Sequence, residues 1–448
     1  MSVPLTREDV VRLDRAHVWH PYTPIDVSEA TDPIVVARAE GASLYDADGR
    51  RYIDGNASWW VAALGHGHPR LLRALREQAE ALAHCALAGI AHEPSAALAR
   101  DLVSRAPAGL TRVFYTDNGS TSVEVAVKIA LQTWQHLGAP KKTRFVALDG
   151  AFHGDTLGAS SLGGVEVFRR PFGSVLFECV RAPFPEAGAY ERAFEAIADL
   201  VRRERDSIAA VVVEPLLQGA AGMRAYDAAY LRALRDLTRE SDVLLVADEV
   251  FTGYGRTGPM WACEHAGVAP DIMCLGKAFA AMIPMGAVLV TDAIYDSFRG
   301  RADRALWYGH TFCGNPIGAA LAREVLAIYD DEDVLGQVRA KAPRIRAAFD
   351  RIAPIPGVAR VRSLGMTGAA DLEPGAARAG RDGASTGGAG TSYLGRAGWR
   401  VYEQARQRGA YLRPLGDTVY VCPPLVTSER DLDDLLSILE DSVRAALA

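Results

Sequence analysis

Lys277 stands in an apolar run, PDIMCLGKAFAAMIPMGAV, just after a strand-like segment, VLLVADEV, whose last acids are Asp248 and Glu249. The chain is rich in arginine and has only five lysines: Lys128, Lys141, Lys142, Lys277 and Lys341. Lys141 and Lys142 read as ordinary surface charge. An ammonium among core residues is costly unless something uses it. A carbonyl cofactor that condenses with the amine is one such use. Pyridoxal phosphate is a cofactor of this kind; it also needs a carboxylate at its ring nitrogen, and Asp248 could supply it. On this run alone, a lysine that snorkels to the surface or pairs with an acid accounts for the residue equally well.

Other residues offer matching chemistry, each beside a plainer explanation. Asp117-Asn118-Gly119-Ser120 lies between a strand and a helix. Gly119 would let backbone approach a ligand closely, and Ser120 with the free amides of the helix start would suit a phosphate; a simple helix cap fits the same residues. Phe152, beside His153 in a Gly-rich loop, could stack on a flat ring or be core. Asp155 is a hydrogen-bonding partner or a turn residue. Glu214 ends a strand, where an acid either points into a site or caps the next element, and the pair Asp248-Glu249 ends another, either with partners in a site or as a solvated strand end. Arg413, in YLRPLGDTVYVCPP, is a carboxylate fork or a surface strand charge. GYGRTG matches GxGxxG formally, but it lacks the tight strand-to-helix turn of a dinucleotide site and is discounted.

The elements that must position these groups alternate. RVFYTD precedes a helix, TRFVALDG precedes a loop, and IAAVVVEP and VLLVADEV follow helices. Such alternation predicts an α/β fold with a largely parallel sheet and chemistry at the strand ends. Val123, Ala126, Val127, Ala130, Leu131 and Trp134 have helical spacing. A helical region begins near Pro316 and opens a C-terminal lobe, in which GWRVYEQARQRG predicts a helix and AYLRPLGDTVYVCPP a strand pair. Residues 366–395, rich in Gly, Ala and Ser, are expected to form a flexible surface excursion.

The bulk numbers bound the class. The chain has 448 residues, 49% hydrophobic and 23% charged, with net charge −6. That length calls for two lobes, and the mild negative charge argues against nucleic-acid or anionic-membrane partners. Cys85, Cys179, Cys263, Cys274, Cys313 and Cys422 are scattered, so they read as reduced thiols, neither metal ligands nor a disulfide framework. No apolar signal segment opens the chain and no run is long enough for a membrane span, so a cytoplasmic location is expected.

Together these segments resemble the class III, pyridoxal phosphate-dependent aminotransferases, from about His20 to about Pro424. LLVADEVFTGYGRTG followed by PDIMCLGK is similar to the signature of the whole class. WHPYT (Trp19 to Thr23), NASWWVAALGHGHP and RPLGDTVYVCPP (Arg413 to Pro424) resemble the members that act in biotin synthesis. The resemblance implies fold type I: a large cofactor domain over 60–315, and a small α+β domain built from 1–59 and 316–448. It implies that Lys277 carries the cofactor and shuttles the proton, and that Asp248 pairs with the ring nitrogen. Gly119 and Ser120 would hold the phosphate, Thr311 would reach it from a neighbouring subunit, and Phe152 would stack on the ring. Trp59, Trp60, Tyr22 and Gly309 would line the substrate cavity, with Tyr22 and Asp155 near the reacting amine. Arg413 would bind the acceptor carboxylate, with Tyr420 close by.

The implied activity is ping-pong conversion of 8-amino-7-oxononanoate to 7,8-diaminononanoate in a homodimer with shared sites. S-adenosylmethionine is the expected donor and lysine the alternative. Three residues or segments depart from the pattern. Phe152 stands where the family usually has Tyr; Ala280-Ala281-Met282 replaces a TGG stretch; and His310 precedes Thr311, where adenosylmethionine users commonly have Pro and some lysine users have His. An ω-aminotransferase of the ornithine, 4-aminobutyrate or diamine type is the runner-up. A non-catalytic nucleotide-binding protein is the reading from another class, supported by GYGRTG alone.

Overall fold

The computed structural model describes residues 5–373 and 393–448. Its centre is a seven-stranded sheet with the strands in the order Leu110–Thr116, Gly286–Thr291, Ile272–Leu275, Leu244–Asp248, Ile208–Val213, Arg144–Leu148 and Cys179–Ala182. Gly286–Thr291 runs antiparallel to both neighbours, and the other pairings are parallel. Ile208–Val213 reads IAAVVV and is buried at every residue. An unbroken run of small and β-branched apolar residues is what a strand covered on both faces requires. One cover is the helix Gly119–His136, which buries Val123, Ala126, Val127, Ala130 and Trp134. These residues follow the spacing read from the sequence. Each side chain of this size is stabilised by about 1.5–3 kcal/mol on full burial.

The strands Leu110–Thr116, Arg144–Leu148, Ile208–Val213, Leu244–Asp248 and Ile272–Leu275 end on one edge of the sheet. The loops that leave this edge carry Asn118 to Ser120, Phe152 to Asp155, Glu214, Val250, Phe251 and Lys277. The crevice beyond the carboxyl ends of parallel strands is where such sheets hold ligands.

Among the described residues a two-stranded ribbon, Leu217–Gln218 with Arg224–Ala225, and two sheets of intermediate size lie around this one. Val36–Glu40, Ser43–Asp46 and Arg51–Asp54 are joined by Ala410–Tyr411, which pairs in parallel with Arg51–Asp54. Val358–Leu364, Thr367–Leu372 and Thr418–Val421 form the other. Segments from both ends of the chain thus share one sheet. A single apolar core runs from Leu275 and Ala287 of the central sheet to Leu321, Ile345 and Leu435 of the later helices.

Three expectations need correction. Ala410–Tyr411 and Thr418–Val421 do not pair with each other; they belong to different sheets. The segment expected to leave the surface at 366 instead begins with Thr367–Leu372, a strand buried throughout; residues 374–392 of that expected excursion lie outside the described residues. Lys142 is buried rather than ordinary surface charge: its ammonium lies 4.1 Å from the Trp134 ring centroid and donates to the Asp242 carbonyl. Lys341 is buried too and donates to the carbonyls of Leu425 (2.5 Å) and Thr427 (3.0 Å). Removing a donor from buried acceptors leaves them unsatisfied. Lys341→Met is therefore expected to lower unfolding stability by about 1–3 kcal/mol in urea titration; an unchanged midpoint would show that these carbonyls find other partners.

Candidate active site

The strand-end loops enclose a cavity of about 230 Å³ lined by Trp60, Gly119, Ser120, Phe152, Asp248 and Lys277, with Asn118, His153, Gly154, Glu214, Val250 and Phe251. Trp60, Gly119, Ser120, Phe152, Glu214, Asp248 and Lys277, all singled out in the sequence, therefore meet in one place. Lys277 follows Gly276 at the end of Ile272–Leu275 and has φ of 49°. A left-handed conformation at a lysine is strained, and such strain gathers at functional sites. Burial pulls the Lys277 ammonium below the usual lysine pKa, while the nearby acids Asp248 and Glu214 oppose the shift. Its Nζ lies 5.1 Å from the Trp60 ring centroid and 5.8 Å from that of Phe251.

A lysine held this way gives up its proton more readily than an exposed one, which makes it the better nucleophile. In the cofactor-free protein, a small acylating reagent at about pH 8 should label Lys277 ahead of the exposed Lys141. Mass spectrometry of the labelled peptides checks the order; preferential labelling of Lys141 would remove the case for a shifted amine.

Asp248 is buried, and its Oδ2 lies 2.7 Å from His153 Nδ1, while Oδ1 accepts from the Val250 amide at 3.1 Å. Glu249, the other acid at this strand end, turns away from the cavity and accepts from Thr252 Oγ1 (2.6 Å) and the amides of Ala262 (3.1 Å) and Cys263 (2.9 Å). Its role is structural. Glu214 accepts from the amides of Phe152 (3.0 Å) and Gly219 (2.9 Å), and burial pushes its carboxyl up to about 7.

The helix Gly119–His136 points its amino end at the cavity. Asn118 caps it by accepting from the Thr121 amide at 3.0 Å, so the amides of Gly119 and Ser120 remain free for an anion. A Cβ at Gly119 would lie 2.5 Å from Val250 Cγ1, so only glycine lets the strand-end loops close here. Anion-binding amides, a buried carboxylate, an aromatic face and an amine with lowered pKa in one cavity form the donor set that pyridoxal phosphate requires. These residues fit that group.

At the mouth, Tyr22 OH donates to Asp155 Oδ2 in a short hydrogen bond, and burial together with that bond raises the phenol's pKa. Tyr22 meets the Trp59 ring edge-on at 5.6 Å. The Arg413 guanidinium lies 5.6 Å from the Trp59 ring centroid and 5.2 Å from that of Trp399, and it donates to the Tyr22 carbonyl at 3.2 Å. Tyr420 is buried behind this wall, where it accepts from Trp60 Nε1 at 3.0 Å and does not line the cavity. Gly309 and Thr311 are exposed and do not line the cavity of their own chain.

The paired tryptophans sit on an unusual backbone. Ala57, Ser58, Trp59 and Trp60 have φ of 45°, 45°, 64° and 76° in succession. Left-handed conformations cost L-residues roughly 1–2 kcal/mol each and usually occur singly.

Sequence reasoning missed several residues here. Phe168 meets Tyr22, Phe152 and Tyr393 edge-on at 5.2, 5.7 and 4.7 Å, closing one wall of the mouth. Neither Phe168 nor Tyr393 belongs to a motif, so no signal pointed to them. The contact between His153 and Asp248 had a weak one, the FHG triplet beside a strand end.

The model of the class-III aminotransferases matches residues 25–443. The chain is 37% identical to the adenosylmethionine-8-amino-7-oxononanoate aminotransferase of Geobacter sulfurreducens, covering 96% of each protein. It is 40% identical to the protein of the same name from Nitratidesulfovibrio vulgaris, covering 97% of this chain and 81% of that one. The crystal structure of the Methanocaldococcus jannaschii enzyme of that name superposes with a TM-score of 0.91 at 31% identity, over 97% of this chain and 98% of that one. The ω-transaminase of Pseudomonas jessenii, solved in complex with PMP, gives 0.89 at 28% identity, with 98% of each chain covered. The chain belongs to the class-III aminotransferases, a family of pyridoxal phosphate-dependent enzymes.

Proposed function

We propose that this chain transfers an amino group to 8-amino-7-oxononanoate to give 7,8-diaminononanoate, the aminotransferase step of biotin synthesis, with S-adenosylmethionine as donor. The observation that carries the reading is the aromatic mouth ending in Arg413. Trp60 offers its face beside Lys277, Trp59 and Tyr22 continue the aromatic surface at the mouth, and Arg413 offers a carboxylate fork against Trp59. A long, mostly apolar keto acid has this pattern of needs. Relatives named for this substrate match nearly the full chain.

When bound, pyridoxal phosphate supplies an aldehyde that condenses with amines and a ring that accepts an electron pair. Gly119 and Ser120 would hold its phosphate, Phe152 would cover its ring, and Asp248, oriented by His153, would sit at the ring nitrogen. Lys277, whose apolar surroundings favour the neutral amine, takes the proton from the α-carbon of the donor. In the return half-reaction it delivers a proton to carbon 7 of the acceptor. Tyr22, tied to Asp155, orients the reacting amine. The aromatic wall keeps bulk water from the exposed carbon.

Gly309 and Thr311 are exposed and idle in the single chain. We assign them to the site of a second copy, making the enzyme a homodimer with shared sites. Trp307 and Phe312 of the same loop are exposed at 66% and 55%, which suits an interface. The division into a cofactor lobe over 60–315 and a small lobe from both termini belongs to the same reading.

A second donor is favoured by one observation. His310 approaches Asp117, with Nε2 3.8 Å from Oδ1, beside the helix start that would hold the phosphate. This histidine stands where adenosylmethionine users commonly carry Pro, and lysine is the alternative donor. The test is to mix the holoenzyme with S-adenosylmethionine or lysine separately and follow the visible cofactor band. The donor is the compound that converts the aldehyde form to the amine form in one turnover; diaminononanoate should do so in the reverse direction. Failure of diaminononanoate to change the band would overturn the acceptor assignment.

A further inference from the structure

The strained turn that carries the tryptophan pair is anchored outside the cavity. Its four left-handed residues include no glycine, and backbone of this kind persists only where surrounding structure holds it. The fixed point is Asp54, fully buried at the end of Arg51–Asp54. Its Oδ2 accepts from Ser58 Oγ at 2.8 Å and lies 2.9 Å from His66 Nε2, while its Oδ1 accepts from the Asn56 amide at 3.3 Å.

His66 closes the same loop from its far end. Its amide donates to the Gly41 carbonyl at 2.8 Å, and the Gly41 amide donates back at 2.9 Å. Gly65, at φ 70°, permits this approach, because a Cβ there would lie 2.6 Å from the Gly41 oxygen. The loop is therefore tied to the small sheet at both ends, and Asp54 links the turn to each tie. From this turn Trp60 faces Lys277 and donates to Tyr420, while Trp59 faces Arg413 and Tyr22.

We propose that Asp54 and His66 are positioning residues for acceptor recognition: together they hold the left-handed turn that sets Trp59 and Trp60 against the substrate, without lining the cavity themselves. Without the bond to Ser58, the turn can relax toward right-handed backbone and carry both indoles away from the mouth. Relaxation also releases strain, which offsets the lost hydrogen bond, so stability changes little while recognition falls. A merely structural carboxylate would behave in the opposite way. The inference rests on the proposed role of the two tryptophans in binding the acceptor.

The experiment compares Asp54→Asn, Ser58→Ala, Trp59→Ala and the double variant Asp54→Asn/Trp59→Ala as holoenzymes. Asp54→Asn should lower acceptor kcat/KM about tenfold or more, with cofactor retained and Tm nearly unchanged. In the Trp59→Ala background the same substitution should add less than about twofold, because the two act through one contact. Ser58→Ala removes one bond to Asp54, leaves the buried carboxylate in place, and should show the same pattern if Asp54→Asn fails to fold. Additive losses, or a lowered Tm with acceptor kcat/KM unchanged, would overturn the proposal. If Trp59→Ala itself leaves acceptor kcat/KM unchanged, the substrate-site reading fails first. If Trp59→Ala lowers it while Asp54→Asn and Ser58→Ala do not, only the positioning inference falls.

Discussion

Lys277→Ala is expected to lower turnover by about 10⁴-fold or more, because both covalent attachment and proton transfer are lost with one amine. None of the other lysines can stand in. Lys142 is bonded to the Asp242 carbonyl, Lys341 to those of Leu425 and Thr427, and Lys128 donates to the Trp307 carbonyl at 3.5 Å. None of these lysines lines the cavity. The fold should survive the change. Alanine removes a desolvated amine, which favours the folded state, and keeps the left-handed φ of 49° at this position. These effects oppose each other, and a net change within about 1–2 kcal/mol follows. Turnover assays, thermal unfolding and the visible band of added cofactor measure the three consequences separately. Wild-type turnover in a folded Lys277→Ala protein would end the assignment.

The parts of the molecule that could be read from sequence share a physical cause. Ile208–Val213 was legible because a strand buried on both faces has no choice but continuous apolar residues. The helix after Gly119 was legible because its buried face repeats at helical spacing. The cavity was legible in outline because its residues lie where strands end, and strand ends can be found from composition. What escaped depends on contacts between distant segments. Thr367–Leu372 reads TGAADL and has too few large side chains to announce a central strand. It is buried because Phe349 packs directly on Gly368, which has no room for a Cβ. Lys142 and Lys341 lie among residues that look exposed, and only the folded chain brings carbonyls to their ammonium groups. Asp54 and His66 are twelve residues apart with no shared motif, and their meeting depends on the loop between them closing. Phe168 and Tyr393 fill a wall whose other members come from three further segments. Packing of this kind is a property of the assembled site and leaves no periodic trace in the chain.

Arg413→Ala should weaken use of the acceptor far more than use of the donor. In the structure the guanidinium is held by ring faces and a carbonyl: Trp59 at 5.6 Å, Trp399 at 5.2 Å and the Tyr22 oxygen at 3.2 Å. No ion pair among the described residues involves it, so no carboxylate neutralises its charge, and its planar fork is pre-oriented between two indoles. An incoming carboxylate therefore meets a donor pair whose side-chain entropy has already been lost. Truncating one partner of such a pair costs about 2–4 kcal/mol, roughly 30- to 1000-fold in acceptor kcat/KM. Arg413→Lys should recover only part of this, since an ammonium neither forks onto two carboxylate oxygens nor stacks on the indoles as guanidinium does. The diagnostic comparison is between half-reactions. Donor-driven change of the cofactor band should stay within a few-fold of wild type, while amination of the keto acid collapses. If both half-reactions fall together, Arg413 supports the walls through Trp59 and Trp399 and does not read the carboxylate.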